Sequence, residues 1–190
     1  MSYKNYYYGD INMDINLSMR KLQILREDLF KDKPFYKGIY NKYRIKTLKK
    51  IIKSGFPQPA IVVSLNPFLV AAYSDDLDCV AILAFPKDLI NEYKLTIGSK
   101  LLSLNTYKNG NEYDNDIMPG ENPKGLWVGF TPNIADFLSE DMEIIERKKL
   151  DISDEYWGRG YELGLKYINN FPDVQRSGEP LLSGKIPLGI

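Results

Sequence analysis

The sequence predicts an α+β fold, a mainly antiparallel sheet of about five strands flanked by N-terminal and C-terminal helices. Three apolar runs at the centre of the chain carry this prediction: residues 60–63, 68–73 and 79–85. Each run has the length of a strand and ends at turn residues, and the gaps between them are too short for parallel crossovers. None alternates between apolar and polar residues, so we expect both sheet faces to be covered, by helices or by a second copy of the protein on one face.

Two helices are predicted before these strands. Residues 17–30 place leucines at helical spacing after Ser18, a residue type that caps helix N-termini. A second helix is predicted over residues 37–54, because Gly55 ends it in the usual C-terminal manner. Five side chains are expected on the buried side of this second helix: Ile39, Tyr43, Leu48, Ile51 and Ile52.

The part of the chain after the central strands adds a short helix, two strands and a loop. Residues 87–93 predict a helix of about two turns, residues 100–107 a fourth strand and residues 126–130 a fifth. Residues 108–125 hold many Asn, Asp and Gly and show no period. They therefore predict a long exposed loop, a feature that is often functional in compact domains.

The C-terminal part of the chain is predicted to form a helix and an extended tail. Residues 132–139 fit a helical turn or an irregular strand, and residues 142–150 fit a strand or a helix. Ser153 is expected to cap the last helix. Gly160 and Gly164 lie four residues apart on that helix and indicate the close approach of another backbone.

Length and charge bound the class of protein. The chain has 190 residues, of which 44% are hydrophobic and 26% charged, which suits a single globular domain over residues 1–190. Its 25 basic and 25 acidic residues give a formal net charge of zero. A basic field over the whole molecule, which would favour nucleic acid, is therefore absent.

Three observations favour a bacterial, cytoplasmic protein. The first ten residues contain no apolar core of a Sec signal peptide, and no apolar run is long enough to span a bilayer. A single cysteine cannot form an internal disulfide, which fits a reducing compartment. Lys, Asn, Ile and Tyr are abundant and histidine is absent, a bias that favours an AT-rich bacterial genome.

The absence of histidine excludes several kinds of catalytic site. Ser-His-Asp and Cys-His catalysis, histidine-ligated zinc and a histidine general base all need a residue that this chain lacks. Cys79, the one thiol, lies in an apolar run, where burial makes a thiol inert. No glycine motif for phosphate binding follows a predicted strand. We therefore predict no catalytic residue and no cofactor, and favour a protein that is not an enzyme.

Two acidic segments hold the candidate partner-binding residues: Asp75, Asp76, Asp78, Glu112, Asp114, Asp116 and Glu121. The first three form a turn between predicted strands, and the others lie in the long loop. Both segments together are expected to present a negative surface to a basic partner. Two alternatives stay open, solvated loop charges and a calcium or magnesium site in the turn, which lacks EF-hand spacing. We predict no metal site.

Other charged groups are weighed against structural roles. Glycoside hydrolysis needs two carboxylates at a set distance from each other, and the sequence cannot establish that distance. Four carboxylates are candidates for such a pair: Asp136, Glu140, Asp141 and Glu155. Arg159 opposes the dipole near a helix start and is expected to pair with a carboxylate of its own chain rather than one of a partner.

A run of basic residues on the second helix predicts a solvated face: Lys42, Arg44, Lys46, Lys49, Lys50 and Lys53. Nucleic-acid binding would need more, such as aromatic side chains interleaved with the basic ones on a groove, or a known motif. We therefore expect no nucleic-acid partner.

These observations favour a non-enzymatic protein-binding domain, with a bacterial immunity protein that neutralises a basic toxin as the specific hypothesis. The expected partner is another protein. Neither nucleic acid nor a membrane is expected, and a homodimer is left open. Two alternative functions remain: a hydrolase that depends on carboxylates or on a metal held by Asp75, Asp76 or Asp78, and a structural homo-oligomer.

Overall fold

The computed structural model describes residues 6–7, 13–31, 35–109, 114–123 and 127–180 of the chain. Eight strands and five helices lie within these ranges. The strands are β1 (Tyr6–Tyr7), β2 (Phe56–Leu65), β3 (Phe68–Ser74), β4 (Cys79–Ala84), β5 (Lys100–Asn109), β6 (Met118–Pro119), β7 (Trp127–Thr131) and β8 (Arg176–Ser177). The helices are α1 (Met19–Leu25), α2 (Phe35–Ser54), α3 (Asp88–Glu92), α4 (Met142–Leu150) and α5 (Asp154–Asn170). Helices and strands do not alternate regularly along the chain, and the fold is α+β as predicted.

One sheet holds all eight described strands in the order β1–β5–β2–β3–β4–β6, with β7 added to β5 and β8 added to β4. Within the described sheet only β8 pairs in parallel, with Leu83 opposite Arg176, so the prediction of a mainly antiparallel sheet is confirmed. The five longer strands, β2 to β5 and β7, are those that the sequence predicts. The other three are two residues long, too short to leave a periodic signal in the sequence.

Both faces of the central strands are buried, as the continuous apolar runs predict. All seven residues of β3 are buried. One face packs into a large core to which Leu22, Leu48, Leu89 and Ile145 contribute, one from each of the helices α1 to α4. The other face packs against α5, where Tyr167 is 2% exposed. Helices therefore cover both faces of the sheet.

Helix boundaries follow the capping residues that the sequence predicts. The Ser18 hydroxyl accepts a hydrogen bond from the Lys21 N–H at 3.3 Å, and the Ser153 hydroxyl accepts one from the Tyr156 N–H at 3.4 Å. α2 ends immediately before Gly55. None of the described helices combines the length and the apolar character needed to cross a membrane.

Two glycines let α5 lie directly over β3. A Cβ atom on Gly164 would lie 2.5 Å from the Cβ of Ala71, and one on Gly160 would lie 3.1 Å from the Cβ of Tyr73. The close approach that these glycines predict is therefore present. Its nearest neighbours are side-chain atoms of the sheet rather than the backbone atoms that we expected.

Three segments differ from the sequence predictions or resolve them. The first helix is shorter than predicted: α1 ends at Leu25, and a separate 3-10 turn follows at Glu27–Leu29. The break occurs because the backbone of Arg26 leaves the helical region, with φ of −137° and ψ of 55°. Of the two ambiguous segments, the one that forms α4 is helical, and residues 132–139 contain a 3-10 turn at Ala135–Phe137.

α2 buries fewer of its apolar side chains than predicted. Leu48, Ile51 and Ile52 are buried, but Ile39 and Tyr43 are 55% and 52% exposed. The reason is the period of the helix, which turns by about 100° per residue and so places Ile39 roughly opposite Leu48. The expectation that Ile39 and Tyr43 belong to the buried side is wrong.

Candidate partner-binding surface

The acidic turn between β3 and β4 is built around a buried aspartate. Asp78 ends this turn with a positive φ of 46°, a conformation that aspartate adopts more readily than most residues. Its side chain is 6% exposed, and its carboxylate accepts four hydrogen bonds from the same chain. Asp78 is therefore a structural centre of the turn.

Three residues from separate parts of the chain donate these four bonds. Arg159 on α5 donates two, from Nε to Oδ1 and from Nη2 to Oδ2, both at 2.8 Å. The Tyr73 hydroxyl donates to Oδ1 at 2.8 Å, and the Asn122 N–H donates to Oδ2 at 2.7 Å. Burial works to raise the pKa of the Asp78 carboxyl, but the donated bonds outweigh burial and hold that pKa below its usual range. The prediction that Arg159 pairs within its own chain is confirmed.

The same aspartate joins the second acidic segment to the first. The Gly120 N–H donates to the Asp78 carbonyl at 2.6 Å, and β6 pairs with β4, with Pro119 opposite Cys79. A Cβ atom at position 120 would collide with the Asp78 carboxylate, which its four hydrogen bonds hold in place. Glycine therefore allows this approach. The two acidic segments lie side by side as a result.

A second buried aspartate anchors the start of the same segment. Asp116 forms a bidentate ion pair with Arg176, from Nε to Oδ2 at 2.9 Å and from Nη2 to Oδ1 at 2.7 Å. Arg176 also donates to the Phe130 carbonyl and, at 3.3 Å, to the Asp114 carboxylate. The Tyr167 hydroxyl donates to the Asp116 carbonyl at 3.1 Å. The segment is thus attached to β7, β8 and α5.

Four of the seven candidate residues keep at least part of their surface accessible in the described structure. Asp114 and Glu121 are exposed, and Asp75 and Asp76 are half-buried. The side-chain amide of Gln58 donates a hydrogen bond to Asp75. These four residues belong to the two joined segments and form what we call the joined acidic surface: Asp75, Asp76, Asp114 and Glu121.

Two candidate residues do not lie at the surface as expected. Asp78 and Asp116 turn inward, because Arg159 and Arg176 each offer a bidentate ion pair with planar geometry. Glu112 lies outside the described residues. The sequence signalled Arg159 through its position against the helix dipole. It contained no signal for Arg176, which is 60 residues from Asp116.

A buried lysine–aspartate cluster accounts for one carboxylate considered for hydrolysis. Asp136 accepts hydrogen bonds from Lys149 Nζ at 2.6 Å and from the Leu102 N–H at 2.8 Å. Burial keeps the pKa of its carboxyl above the usual value despite the lysine. Lys21 Nζ donates to the carbonyls of Asp136 and Ser139, at 2.8 Å and 2.6 Å, and burial lowers the pKa of this lysine. The cluster holds α1 and α4 to the 3-10 turn between them.

The other carboxylates considered for hydrolysis lie apart from any cluster with metal-site geometry. Glu140 pairs with Arg20 at 3.0 Å, and Asp141 accepts a hydrogen bond from the Asn16 N–H at 2.6 Å. Glu155 is exposed in the first turn of α5. In the part of the chain that the structure describes, no three or more acidic, cysteine or histidine residues are grouped so as to hold a metal ion.

The thiol is buried beneath the joined segments, and the two cavities are lined by other residues. Cys79 is fully buried, as predicted, and burial raises the pKa of its thiol. One cavity of about 150 Å³ lies between Phe85 and residues 175–179, and another of about 340 Å³ lies between Leu29 and Asn41. Neither is lined by a candidate acidic residue.

Comparison with known proteins adds no assignment. No family model matches the chain, and no curated protein or solved structure matches it. Function must therefore be inferred from the geometry and charge of the surface itself.

Proposed function

We propose that this protein is a non-catalytic protein-binding domain whose joined acidic surface binds a basic protein. The observation that carries the proposal is the attachment of residues 118–122 to the Asp78 turn, which brings two acidic segments together. The two segments are attached to the sheet and to α5 by buried aspartates that form bidentate ion pairs, so binding need not first bring the segments together. Such preorganisation lowers the entropic cost of association.

The charge that remains on this surface is negative. The ion pairs Asp78–Arg159 and Asp116–Arg176 are each neutral. The carboxylates of the joined acidic surface therefore set the local sign, even though the net charge of the chain is zero. A basic partner would be attracted at long range, so association should be fast at low salt and slower as salt screens the charges.

A basic toxin is the partner class that best fits this profile, with the protein acting as an immunity protein in a bacterial cytoplasm. Neutralisation of a toxin asks for a rigid surface of complementary charge and requires no catalytic group on the binding protein. It suits a chain without histidine whose one thiol is buried.

Capture with charge-reversed variants tests this proposal. The purified chain is immobilised and exposed to an extract of its native cells at low and at high salt, beside the variant Asp114→Lys/Glu121→Lys. The matched control is Glu92→Lys/Glu143→Lys, which reverses two exposed acids on α3 and α4. Circular dichroism checks that both variants stay folded.

We expect a basic protein that the wild type and the control retain at low salt, and that high salt or reversal of the acidic surface releases. The product of a neighbouring toxin-like gene is then tested directly against the same three forms of the protein. Equal capture by all three forms, or capture that salt does not affect, would contradict the proposal. So would the absence of any captured protein.

A further inference from the structure

The solvent side of α2 forms a basic stripe. A turn of about 100° per residue brings seven side chains onto one face: Ile39, Lys42, Tyr43, Lys46, Lys49, Lys50 and Lys53. Leu48 and Ile52, which are fully buried, lie on the opposite side of the helix. The helix contains no Asp or Glu, so no acid of its own relieves the charge of the stripe.

The lysines in the middle of the stripe repel one another, and no ion pair with a described residue offsets this repulsion. Lys42, Lys46 and Lys49 lie three or four residues apart, the spacing at which like charges on a helix repel. None of the three makes an ion pair with another described residue. A solvated helix face usually mixes acids with bases, which removes this repulsion. The stripe is therefore suited to a partner that supplies several negative charges.

Two aromatic side chains lie exposed near the N-terminal end of α2, Tyr43 on the stripe and Tyr40 on the flank beside it. Tyr40 and Tyr43 are 57% and 52% exposed, and Ile39 beside them is 55% exposed. The guanidinium of Arg44 lies 5.5 Å from the centre of the Tyr40 ring, which shows that this ring already accepts a planar cation. Tyr43, which the sequence predicted on the buried side, is therefore an exposed ring interleaved with lysines, although it lies on a helix face rather than in a groove.

We propose that the α2 stripe binds single-stranded nucleic acid, with lysines at the phosphates and Tyr43 stacked on a base. A cationic track combined with exposed aromatic faces is the combination that single-strand binding uses. From Lys42 to Lys53 the track is about 16 Å long, enough for a few nucleotides. This surface is separate from the joined acidic surface, and the proposal does not depend on the proposed function.

Two other polyanionic partners fit the stripe less well. Lysine is depleted in protein–protein interfaces, whereas this stripe consists mainly of lysine. A helix that lies on a membrane needs apolar residues along its length, whereas the large apolar side chains of this face are confined to residues 39–43. The test below includes a probe for each of these partners, poly-glutamate for an acidic protein and phosphatidylserine vesicles for a membrane.

Fluorescence anisotropy with a labelled oligothymidylate tests the proposal on the full chain. Three phosphate contacts predict that the logarithm of the binding constant falls with the logarithm of salt concentration with a slope of about −2, from about −0.7 per contact. The variant Lys46→Glu/Lys49→Glu should weaken binding by about tenfold or more and make the slope shallower by about 1.4. The control Arg147→Glu/Lys166→Glu, on α4 and α5, should leave both values unchanged.

Tyr43→Ala separates stacking from charge. It should weaken binding without changing the salt slope, because a base that stacks on a ring releases no counterion. The same titration is repeated with a duplex of equal length, with poly-glutamate and with phosphatidylserine vesicles. Binding to the single strand that exceeds binding to all three supports the proposal. No binding, equal or tighter binding to any of the three, or no effect of the α2 variants would overturn it.

Discussion

Asp78→Asn tests directly how the joined acidic surface is assembled. The substitution keeps the size of the side chain but removes its charge and turns one accepting oxygen into a donating amide. Arg159 then loses its ion pair. The amide NH2 that replaces one carboxylate oxygen faces N–H and O–H donors, from which it cannot accept a hydrogen bond. We therefore expect both a loss of stability and a looser attachment of residues 118–122.

The size of the loss follows from the contacts of the carboxylate. A hydrogen bond to a charged group contributes about 1.5–3 kcal/mol, and Asp78 accepts several in a buried position. The side chain of Arg159 is 27% exposed, so water recovers part of what the arginine loses. We expect the free energy of unfolding at pH 7 to fall by about 2–3 kcal/mol, which lowers Tm by roughly 4–12 °C.

The pH dependence of this loss has a definite sign. The folded-state pKa of the Asp78 carboxyl lies below the value of about 3.9 for an unperturbed aspartate. Its contribution to stability is therefore complete above that value and disappears as the pH falls through the folded-state pKa. The difference between wild type and Asp78→Asn should be largest near neutral pH and shrink as the pH falls below the ordinary aspartate pKa of about 3.9.

Urea unfolding followed by tryptophan fluorescence, to which Trp157, buried on α5, contributes, measures the difference at each pH. Asp114→Asn is the control, because this carboxylate lies on the same surface but is exposed, and its loss should stay below about 1 kcal/mol. An effect of Asp78→Asn no larger than that of the control, or one that does not decline with acid, would refute the role of the buried charge.

Three further predictions concern the sheet, the thiol and the lysine–aspartate cluster. Gly164→Ala should destabilise the protein by about 1–3 kcal/mol, because the new Cβ overlaps β3. Gly158→Ala on the same helix places its Cβ in open space and should stabilise the protein by up to about 1 kcal/mol. Thermal denaturation of both variants measures the contrast. Cys79, with a thiol pKa raised by burial, should react with a colorimetric thiol reagent only once denaturant is added, and rapid reaction of the native protein would contradict its place in the core. Lys149→Met leaves the Asp136 carboxylate buried without its cation and should cost about 3–5 kcal/mol at pH 7. The missing ammonium raises the pKa of that carboxyl further, so this deficit should grow as the pH rises above the ordinary aspartate pKa of about 3.9. A deficit independent of pH in urea unfolding would show that the pair is not responsible.

Much of the fold could be predicted because segments with buried side chains have recognisable apolar patterns in the sequence. The apolar runs before and after the Asp78 turn became β3 and β4, and Ser153 began α5 as its hydroxyl chemistry suggested. Local patterns did not decide the structure where a segment suits a helix and a strand about equally well. The segment that forms α4 was ambiguous in the sequence, and its helical form is the one that places Ile145 in the core. Ile39 was misplaced because its apolar character was given more weight than the helical period.

The candidate site was predictable only in part. The sequence located both acidic segments and indicated that Arg159 needs a carboxylate. We expected both segments to present one negative surface, but the sequence did not indicate the contacts that join them, because these depend on the position of Gly120 beside Asp78. The same limit applies to the basic stripe, since exposure of Tyr43 depends on which side of α2 faces the core.

The sequence by itself determined which segments are apolar, the periods that make them strands or helices, and the lack of imidazole chemistry. Only the tertiary structure decided which charges remain at the surface. Asp78 and Arg159 are 81 residues apart, and Asp116 and Arg176 are 60 apart, so no local pattern relates them. Their pairing follows from the packing of α5 and β8 against the sheet, because an ion pair depends on distance in space and not on separation along the chain.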